Sequence, residues 1–244
     1  MCKSILTVII LIFTAKAGFP QLYKSWFVSQ YSIACPEKAV GFSLHSYYND
    51  SAAVKNAFLN GCENFVRNSK ESIYGSQTFW STENGTYTMG REINEQYDTS
   101  LVSAAALRLK ITDTLITENF VAVLVTSCGP DFISKECPVV EMKDVKRPEW
   151  IDSLPKEPGY NYALGSSPLY FYEMSSWKEA EWAARKAFAL SVCSKTMSVE
   201  KLQDRSGQQV RNEEVAVTLS GVEVVARWKN SRENICYVLC KMRE

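Results

Sequence analysis

The sequence predicts an α+β protein made of two tandem β-α-β-β modules, each with one helix laid across a small antiparallel sheet. The first observation is a repeated spacing: Trp26 precedes Gly41 by fifteen positions, and Trp150 precedes Gly165 by the same fifteen. The second observation is that strand, helix and hairpin patterns follow in the same order in both halves. A coincidence between short apolar strings is the alternative, but the preserved spacing and element order favour a duplication.

The second module opens with a strand pattern and continues into an amphipathic helix. Residues 161–166 form the first strand, and Ser176 with Glu179 has the spacing of a capping box. The alanine-rich apolar stripe that follows predicts a helix that approaches the sheet closely. The stripe consists of Trp177, Ala180, Ala184, Ala187, Phe188 and Ser191, and the outer side carries Lys178, Glu181, Arg185 and Lys186.

A hairpin completes the second module. Residues 214–228 are rich in valine and form a long strand that Ser220-Gly221 interrupts as a bulge or bend. Residues 230–234 are a polar turn of hairpin length, and residues 235–242 return as the last strand.

The first module repeats this order more weakly. A strand at residues 39–42 and a helix are followed by a long strand at residues 101–111, a turn at residues 113–118 and a returning strand at residues 119–125. The helix is capped within residues 49–51. Its apolar stripe consists of Val54, Phe58, Gly61, Phe65 and Val66.

The copies differ in a polar segment at residues 69–97 of the first module, which contains Trp80 and Tyr87. This segment is either a plain insertion or a binding loop, because aromatic residues on exposed loops favour contacts with partners. Tyr170 and Trp182 of the second module complete the candidate interaction surface. For Trp182 the alternative position is the junction between the two domains.

The N-terminus has the three parts of a secretory signal peptide. Lys3 supplies the charged start, residues 5–13 are nearly all apolar, and Ala15-Lys16-Ala17 predicts cleavage between Ala17 and Gly18. The apolar run is shorter than the about 20 residues of a transmembrane helix, and an uncleaved anchor is the alternative. The resulting boundaries are a signal peptide at 1–17, a first domain at 18–142, a linker at 143–147 and a second domain at 148–244.

Charge and hydropathy exclude several classes of partner. The chain has 27 basic and 27 acidic residues, and loss of Lys3 and Lys16 with the signal peptide leaves 25 against 27. A chain so close to neutral has no electrostatic basis for binding nucleic acid or an anionic membrane surface. We also expect no transmembrane segment in the mature chain. A lipid anchor is not supported, because Cys2 precedes the apolar run and Cys35 lies far beyond it.

Seven cysteines remain after cleavage, and export permits disulfides. Cys128 and Cys137 flank a short segment with glycine and proline, so we expect this pair to close a small loop. Cys236 and Cys240 share one face of a strand but lie too far apart to bond to each other. A zinc site is not expected, because the sequence has no CxxC pair and His45 is its only histidine.

Signatures of common enzyme classes are absent from the sequence. Gly41-Phe42-Ser43 and Gly165-Ser166-Ser167 lack the further glycine or lysine of a phosphate-binding loop, and no GxSxG motif is present. Any nucleophile–histidine site would need His45, which we expect to be a surface or hydrogen-bonded structural residue. We therefore expect no catalytic, cofactor-binding or metal-binding residues.

Five motifs of the second module carry a family resemblance: Pro148 to Ile151, Tyr162 to Ser167, Ala183 to Ala187, Arg227-Trp228 and Tyr237 to Leu239. In these motifs the module resembles the twenty-kilodalton surface lipoprotein family, Lpp-twenty, which includes the flagellar O and P proteins of the Gram-negative outer membrane. The resemblance covers about residues 148–243 and extends to residues 24–126 only through the repeat. It implies a dodecin-like β-α-β-β fold and no catalytic residues. Family members are lipidated, and in this respect the chain departs from the family.

These observations lead to a hypothesis of a non-enzymatic, exported bacterial protein of the cell envelope that acts in protein–protein assembly or structural support. It would reside in the periplasm or outside the cell, with association with the outer membrane as one option, and bind envelope proteins or itself. One alternative is a periplasmic protein that binds a small ligand between helix and sheet or between the domains. Another is a thiol enzyme that uses Cys62, Cys193 or Cys236. A eukaryotic secreted protein is a further alternative, since Asn49 and Asn84 begin glycosylation triplets.

Overall fold

The computed structural model describes residues 22–30, 35–46, 48–82, 85–128, 138–142, 145–196, 201–203 and 209–244. Of residues 76–92 and 193–215 it describes at most the backbone. The prediction of an α+β fold is confirmed, because helices and antiparallel sheets both contribute to the described residues. Among these residues no helix has the length and apolar character needed to span a membrane.

Two units with the same topology form the frame. The first unit consists of β2 (Lys38–Leu44), α2 (Asp50–Ser69), β5 (Lys110–Ile116) and β6 (Phe120–Thr126). The second unit consists of β8 (Tyr160–Pro168), α4 (Glu173–Thr196), β11 (Glu223–Asn230) and β12 (Ile235–Arg243). Both sheets are antiparallel, with orders β2-β6-β5 and β8-β12-β11, so the last strand lies in the middle of each.

The repeated glycines have equivalent structural roles in the two units. A Cβ atom on Gly41 would overlap the carbonyl oxygen of Ala57 in α2, and one on Gly165 would overlap the carbonyl oxygen of Ala180 in α4. Glycine therefore allows each helix to approach the first strand of its sheet. The penultimate strands also correspond, because β5 and β11 each have a register shift against the last strand, at Ile111/Asp113 and at Val224/Ala226.

The predicted insertion at residues 69–97 forms a long hairpin rather than a loop. Its strands are β3 (Lys70–Thr82) and β4 (Gly85–Gln96). On its other edge β3 pairs antiparallel with β10 (Gln209–Ser220), from Lys70↔Ser220 to Ser81↔Gln209. With β9 (Lys201–Gln203) these strands form a sheet of order β4-β3-β10-β9, which contains strands from both predicted domains.

The prediction of a long strand at residues 101–111 and a turn at residues 113–118 is wrong. The first eight residues form α3 (Leu101–Arg108), and β5 occupies most of the predicted turn. Three alanines give this segment a high helix propensity, and Asp98 Oδ1 accepts a hydrogen bond from the Ser100 backbone N–H at its start. The actual turn is at Thr117, whose Oγ1 accepts from the N–H groups of Asn119 and Phe120.

The predicted capping box at Ser176 and Glu179 is also wrong, because α4 begins three residues earlier, at Glu173. Ser176 is buried within the helix, and its Oγ accepts a hydrogen bond from the backbone N–H of Tyr170 at 2.7 Å. Glu179 instead forms an ion pair with Lys186 at 3.3 Å.

A short N-terminal segment joins the two units through aromatic packing. Strand β1 (Leu22–Lys24) pairs with β7 (Val139–Glu141), and α1 (Ser25–Val28) follows. The Phe27 ring of α1 lies 6.0 Å from Phe42 and 5.9 Å from Phe120 of the first unit, and 5.5 Å from Trp177 of the second. The largest cluster of buried side chains therefore contains residues of both units.

Candidate functional site

The most exposed aromatic side chains of the second unit lie in the connection between β8 and α4. This aromatic connection consists of Tyr170, Phe171 and Tyr172, and Phe171 is 90% exposed. The rings of Phe171 and Tyr172 pack edge to face, with centroids 5.0 Å apart. Large apolar side chains are usually buried, so exposed aromatic rings in contact with each other mark a candidate contact surface.

Hydrogen bonds hold the aromatic connection at several points along its backbone. The N–H of Leu169 donates to the carbonyl oxygen of Asn234 at 2.7 Å, which attaches the connection to the β11–β12 turn. Farther along, the Tyr170 N–H donates to Ser176, and the Ser175 N–H donates to the Tyr172 carbonyl oxygen at 2.9 Å. The exposed rings are therefore carried by an ordered backbone.

The equivalent connection of the first unit also exposes an aromatic residue, since Tyr48 is fully exposed. Beside it, Nδ1 of His45 lies 3.3 Å from the carbonyl oxygen of Glu118, and Nε2 lies 3.3 Å from a carboxylate oxygen of Asp50. His45 is thus a hydrogen-bonded structural residue, as the sequence predicts. Asn49 caps α2, because its Oδ1 accepts from the Ala52 N–H at 2.9 Å.

The four residues of the predicted interaction surface lie on four different elements. Tyr170 is in the aromatic connection. Trp80 and Tyr87 are register partners on β3 and β4, and their side chains are outside the described part. Trp182 is half-buried on α4 in a groove that also includes residues of α2, and the Lys186 ammonium lies 5.1 Å from its ring centroid. Ala17 and Gly18, the predicted cleavage site, lie outside the described residues.

A buried polar cluster behind the aromatic connection joins the N-terminal segment to the second unit. Glu173, the first residue of α4, accepts hydrogen bonds from Tyr23, from Trp177 Nε1 at 2.9 Å and from Lys229 Nζ at 3.1 Å. Burial, followed by the charge of Glu173, raises the pKa of Tyr23 far above its ordinary value. Tyr23 is therefore a neutral hydrogen-bond donor to the side chain of Glu173.

Two further buried ion pairs connect α4 to its surroundings. Arg227 of β11 binds Glu181 at 2.6 Å and donates to the Phe27 carbonyl oxygen at 3.2 Å. Arg185 binds Glu71 of β3 at 3.0 Å and also hydrogen-bonds Asn68. These ion pairs connect α4 to β11 and β3, and the hydrogen bond of Arg227 extends the connection to α1. In each ion pair a buried charge is compensated by the opposite charge of its partner.

Glu71 is the most perturbed carboxyl group of this cluster. Burial raises its pKa to about 7 against the opposing effect of Arg185, and Glu95 raises it further. Its Oε1 and the Arg67 Nε are buried without a hydrogen-bond partner among the described residues and lie 3.8 Å apart. The cluster therefore contains an incompletely satisfied carboxyl group between the two units.

The expectation that Glu181 and Arg185 lie on the outer side of α4 is wrong, because both are buried. The apolar periodicity of α4 predicts one buried face, whereas other segments pack against more than one face of this helix. The sequence contained one signal of this additional burial, because Arg227 is a basic residue within a valine-rich strand. A cation in such a strand requires a buried acidic partner or an exposed edge.

The prediction of a disulfide between Cys128 and Cys137 is wrong, because Cys128 has a different partner. Cys128 bonds to Cys35, with Cα atoms 5.9 Å apart, and Cys137 lies outside the described residues. Spacing along the chain favoured the nearer cysteine. The fold instead joins the segment before β2 to the end of β6, which are adjacent because these strands pair from Lys38↔Thr126.

The described free cysteines, Cys62, Cys236 and Cys240, are buried. Burial raises the pKa of Cys62 to about 11 and the pKa values of Cys236 and Cys240 to about 12. Because the thiolate is the reactive form, these thiols are in unreactive surroundings. The side chain of Cys193 is outside the described part.

A cleft lies between α2, α3 and the base of the β3–β4 hairpin, with a volume of about 950 Å³. Its walls are mainly apolar, and its charged residues are Lys70, Asp98 and Arg108. On two sides a guanidinium lies over an aromatic ring, Arg108 over Phe65 at 5.2 Å and Arg67 over Tyr97 at 4.8 Å.

In the part of the chain that the structure describes, no three His, Cys, Asp or Glu side chains are grouped as metal ligands. The structure therefore does not gather the candidate residues into one site. The predicted surface residues, the buried ion pairs and the cleft lie in different parts of the fold. No protein-family model matches the chain, and neither the curated proteins nor the solved structures give a significant match.

Proposed function

We propose that this protein is a non-enzymatic assembly protein of the bacterial cell envelope that binds a protein partner through the aromatic connection. The observation that carries the proposal is the exposure of Phe171 at 90% on a backbone held by hydrogen bonds at Leu169, Tyr170 and Ser175. Aromatic residues dominate the energetic centres of protein interfaces. A surface that is already ordered loses less entropy when it binds.

The surroundings of the aromatic connection support its use as a rigid platform. Glu173 directly follows it, and the hydrogen bonds to Glu173 from Tyr23, Trp177 and Lys229 fix the first turn of α4. The exposed rings therefore directly precede a helix turn that side-chain hydrogen bonds hold in place. The equivalent exposure of Tyr48 in the first unit offers a second, smaller contact point.

The proposal also includes export of the chain and an origin of its two units by duplication. Residues 1–17 would direct the chain out of the cytoplasm, and the Cys35–Cys128 disulfide supports an oxidising compartment. The shared strand order, the glycine contacts and the register shifts support descent of both units from one module of the Lpp-twenty type. The raised pKa values of Cys62, Cys236 and Cys240 support a non-enzymatic role over thiol chemistry.

The test is crosslinking in cells followed by mass spectrometry, with the wild type compared with Phe171→Ser. We expect Phe171→Ser to abolish a specific crosslinked species, since truncation of a central aromatic residue weakens binding by about 30-fold or more. The species is a homo-oligomer or a complex with an envelope protein, and mass spectrometry distinguishes the two.

Leu107→Ser is the matched control, because Leu107 is also 90% exposed but lies on α3 in the other unit. It should leave the crosslinked species unchanged. A wild type that forms no specific crosslinks, or a species that Phe171→Ser and Leu107→Ser weaken equally, would contradict the proposal.

A further inference from the structure

We propose that the cleft between α2, α3 and the β3–β4 hairpin binds an amphiphilic carboxylate, with its apolar chain along α3 and its headgroup beside Lys70 and Arg108. The volume of about 950 Å³ is near the upper end of the roughly 300–1,000 Å³ of small-molecule sites. This site goes beyond the proposed function and does not rest on it, because Phe171 is not among the residues that line the cleft.

The apolar wall of the cleft comes from one face of α3 and the last turns of α2. Leu101, Ala104 and Ala105 lie at positions i, i+3 and i+4 of α3 and line the cleft together with Phe65 and Val66. The alanines leave space that larger side chains would fill. Leu101 is 51% exposed, so apolar surface is open to a bound chain.

The charge around this wall favours an anionic headgroup. Lys70 is exposed, and none of the described residues forms an ion pair with it. Arg108 is paired with Glu37 at 3.2 Å, but its side chain is 54% exposed, so the pair is weak and its guanidinium remains accessible.

The single carboxylate among the lining residues is already engaged. Asp98 Oδ1 accepts hydrogen bonds from the backbone N–H and the hydroxyl group of Ser100. A cationic headgroup would therefore meet Lys70 and Arg108 with little compensation, whereas a carboxylate would be attracted by both. This asymmetry selects an anionic amphiphile over a cationic one.

Calorimetric titration of the full chain with decanoate, decanol and decyltrimethylammonium, each below its micelle concentration, tests the headgroup preference. We expect decanoate to bind at least about 10-fold more tightly than decyltrimethylammonium, with decanol between them. Each methylene added to the carboxylate should tighten binding about fourfold while the chain still fits. Equal affinity for the anionic and the cationic amphiphile would overturn the proposal.

Two leucines of α3 provide a matched pair of variants. Leu101→Glu places a carboxylate in the cleft and should weaken decanoate binding at least about 10-fold, whereas Leu107→Glu adds the same charge outside it and should not. If Leu101→Glu lowers the melting temperature, Ala104→Trp is used in place of Leu101→Glu. Ala104 is exposed, so the tryptophan side chain would fill the cleft and should abolish binding of decanoate and decanol. Decanoate binding that survives Ala104→Trp, or an equal loss in Leu101→Glu and Leu107→Glu, would place the ligand elsewhere and overturn the proposal.

Discussion

Helices α2 and α4 each lie across a three-stranded antiparallel sheet and approach it at a glycine, but α2 has a solvent-exposed side and α4 has almost none. Ser51, Lys55 and Leu59 of α2 are exposed, whereas the residues of α4 from Glu173 to Leu190 are buried or half-buried. One topology therefore serves as an outer layer in the first unit and as the centre of the molecule in the second. The buried ion pairs of α4 reflect this difference, because charged side chains of a helix that is surrounded by protein need buried partners.

The largest expected effect comes from breaking a buried pair of the central helix. Arg227→Met leaves Glu181 buried without its cation, and we expect the free energy of unfolding to fall by about 3–5 kcal/mol. Urea denaturation measures this change. The double variant Arg227→Met with Glu181→Met should recover most of the loss, because it removes both charges. A loss in the double variant equal to the sum of the two single losses would show no coupling between the two side chains and would contradict this account.

The glycine contacts test whether the two units depend equally on close helix–sheet packing. Gly41→Ala and Gly165→Ala each push a methyl group into a helix backbone, and we expect each to destabilise the fold by about 3 kcal/mol in urea denaturation. Gly61→Ala is the control, since its Cβ would meet the Val125 methyl groups at 3.1 Å and the Gly41 nitrogen at 3.4 Å without overlapping the backbone, and alanine has the higher helix propensity. A loss in Gly165→Ala alone would restrict the requirement to the central helix.

Among the described residues a disulfide belongs only to the first unit. Replacing Cys35 and Cys128 together by serine should lower the free energy of unfolding by about 2–3 kcal/mol, because the bond closes a long loop of the unfolded chain. Thermal unfolding with and without reductant measures the effect, and reductant should change only the wild type. A wild type that is insensitive to reductant would contradict the bond.

The last effect concerns pH and the carboxyl group between the units. The pKa of Glu71 is about 7 in the folded chain and 4.5 in the reference state, so the folded state binds the proton more tightly. The stability that this group contributes is present in full below pH 4.5 and is lost as the pH rises through 7, and the loss is at most about 3 kcal/mol. Glu71→Gln should flatten this decline in urea denaturation across the same pH range.

Glu179→Gln is the matched control for the pH series. Glu179 is also a glutamate paired with a base, Lys186, but its side chain is 43% exposed. This variant should keep the wild-type slope between pH 4.5 and 7. If both variants flatten the slope equally, the decline does not come from the buried carboxyl group.

Apolar periodicity and turn residues predicted the elements that depend on neighbouring residues in the chain. The first strands, both main helices, the last turn and the last strand lie where the sequence places them. The single strand predicted at residues 214–228 is wrong, because the chain divides at Ser220-Gly221 into β10 and β11, which belong to different sheets. Further errors are at α3 and at the start of α4, where a strand-like or capped pattern competed with helix propensity and with the hydrogen bonds of Asp98 and Ser176.

The candidate site was less predictable because it depends on tertiary contacts. Tyr170 was identified from its aromatic neighbours, but the exposure of Phe171 follows from the bonds to Asn234 and Ser176, which no local pattern contains. The buried positions of Glu181 and Arg185 require a second layer over α4. That layer comes from segments more than 100 residues earlier in the chain, including Glu71.

The pairing of β3 with β10 has a consequence for how the chain acquires its structure. During synthesis β3 and β4 emerge long before residues 209–220, so one edge of β3 has no strand beside it until the second unit is made. Unpaired edges invite association with other chains, and contacts this distant in sequence form slowly. A nascent chain therefore passes through a stage at which β10 of a second molecule can occupy the vacant edge, which makes strand exchange the characteristic misfolding hazard of this architecture.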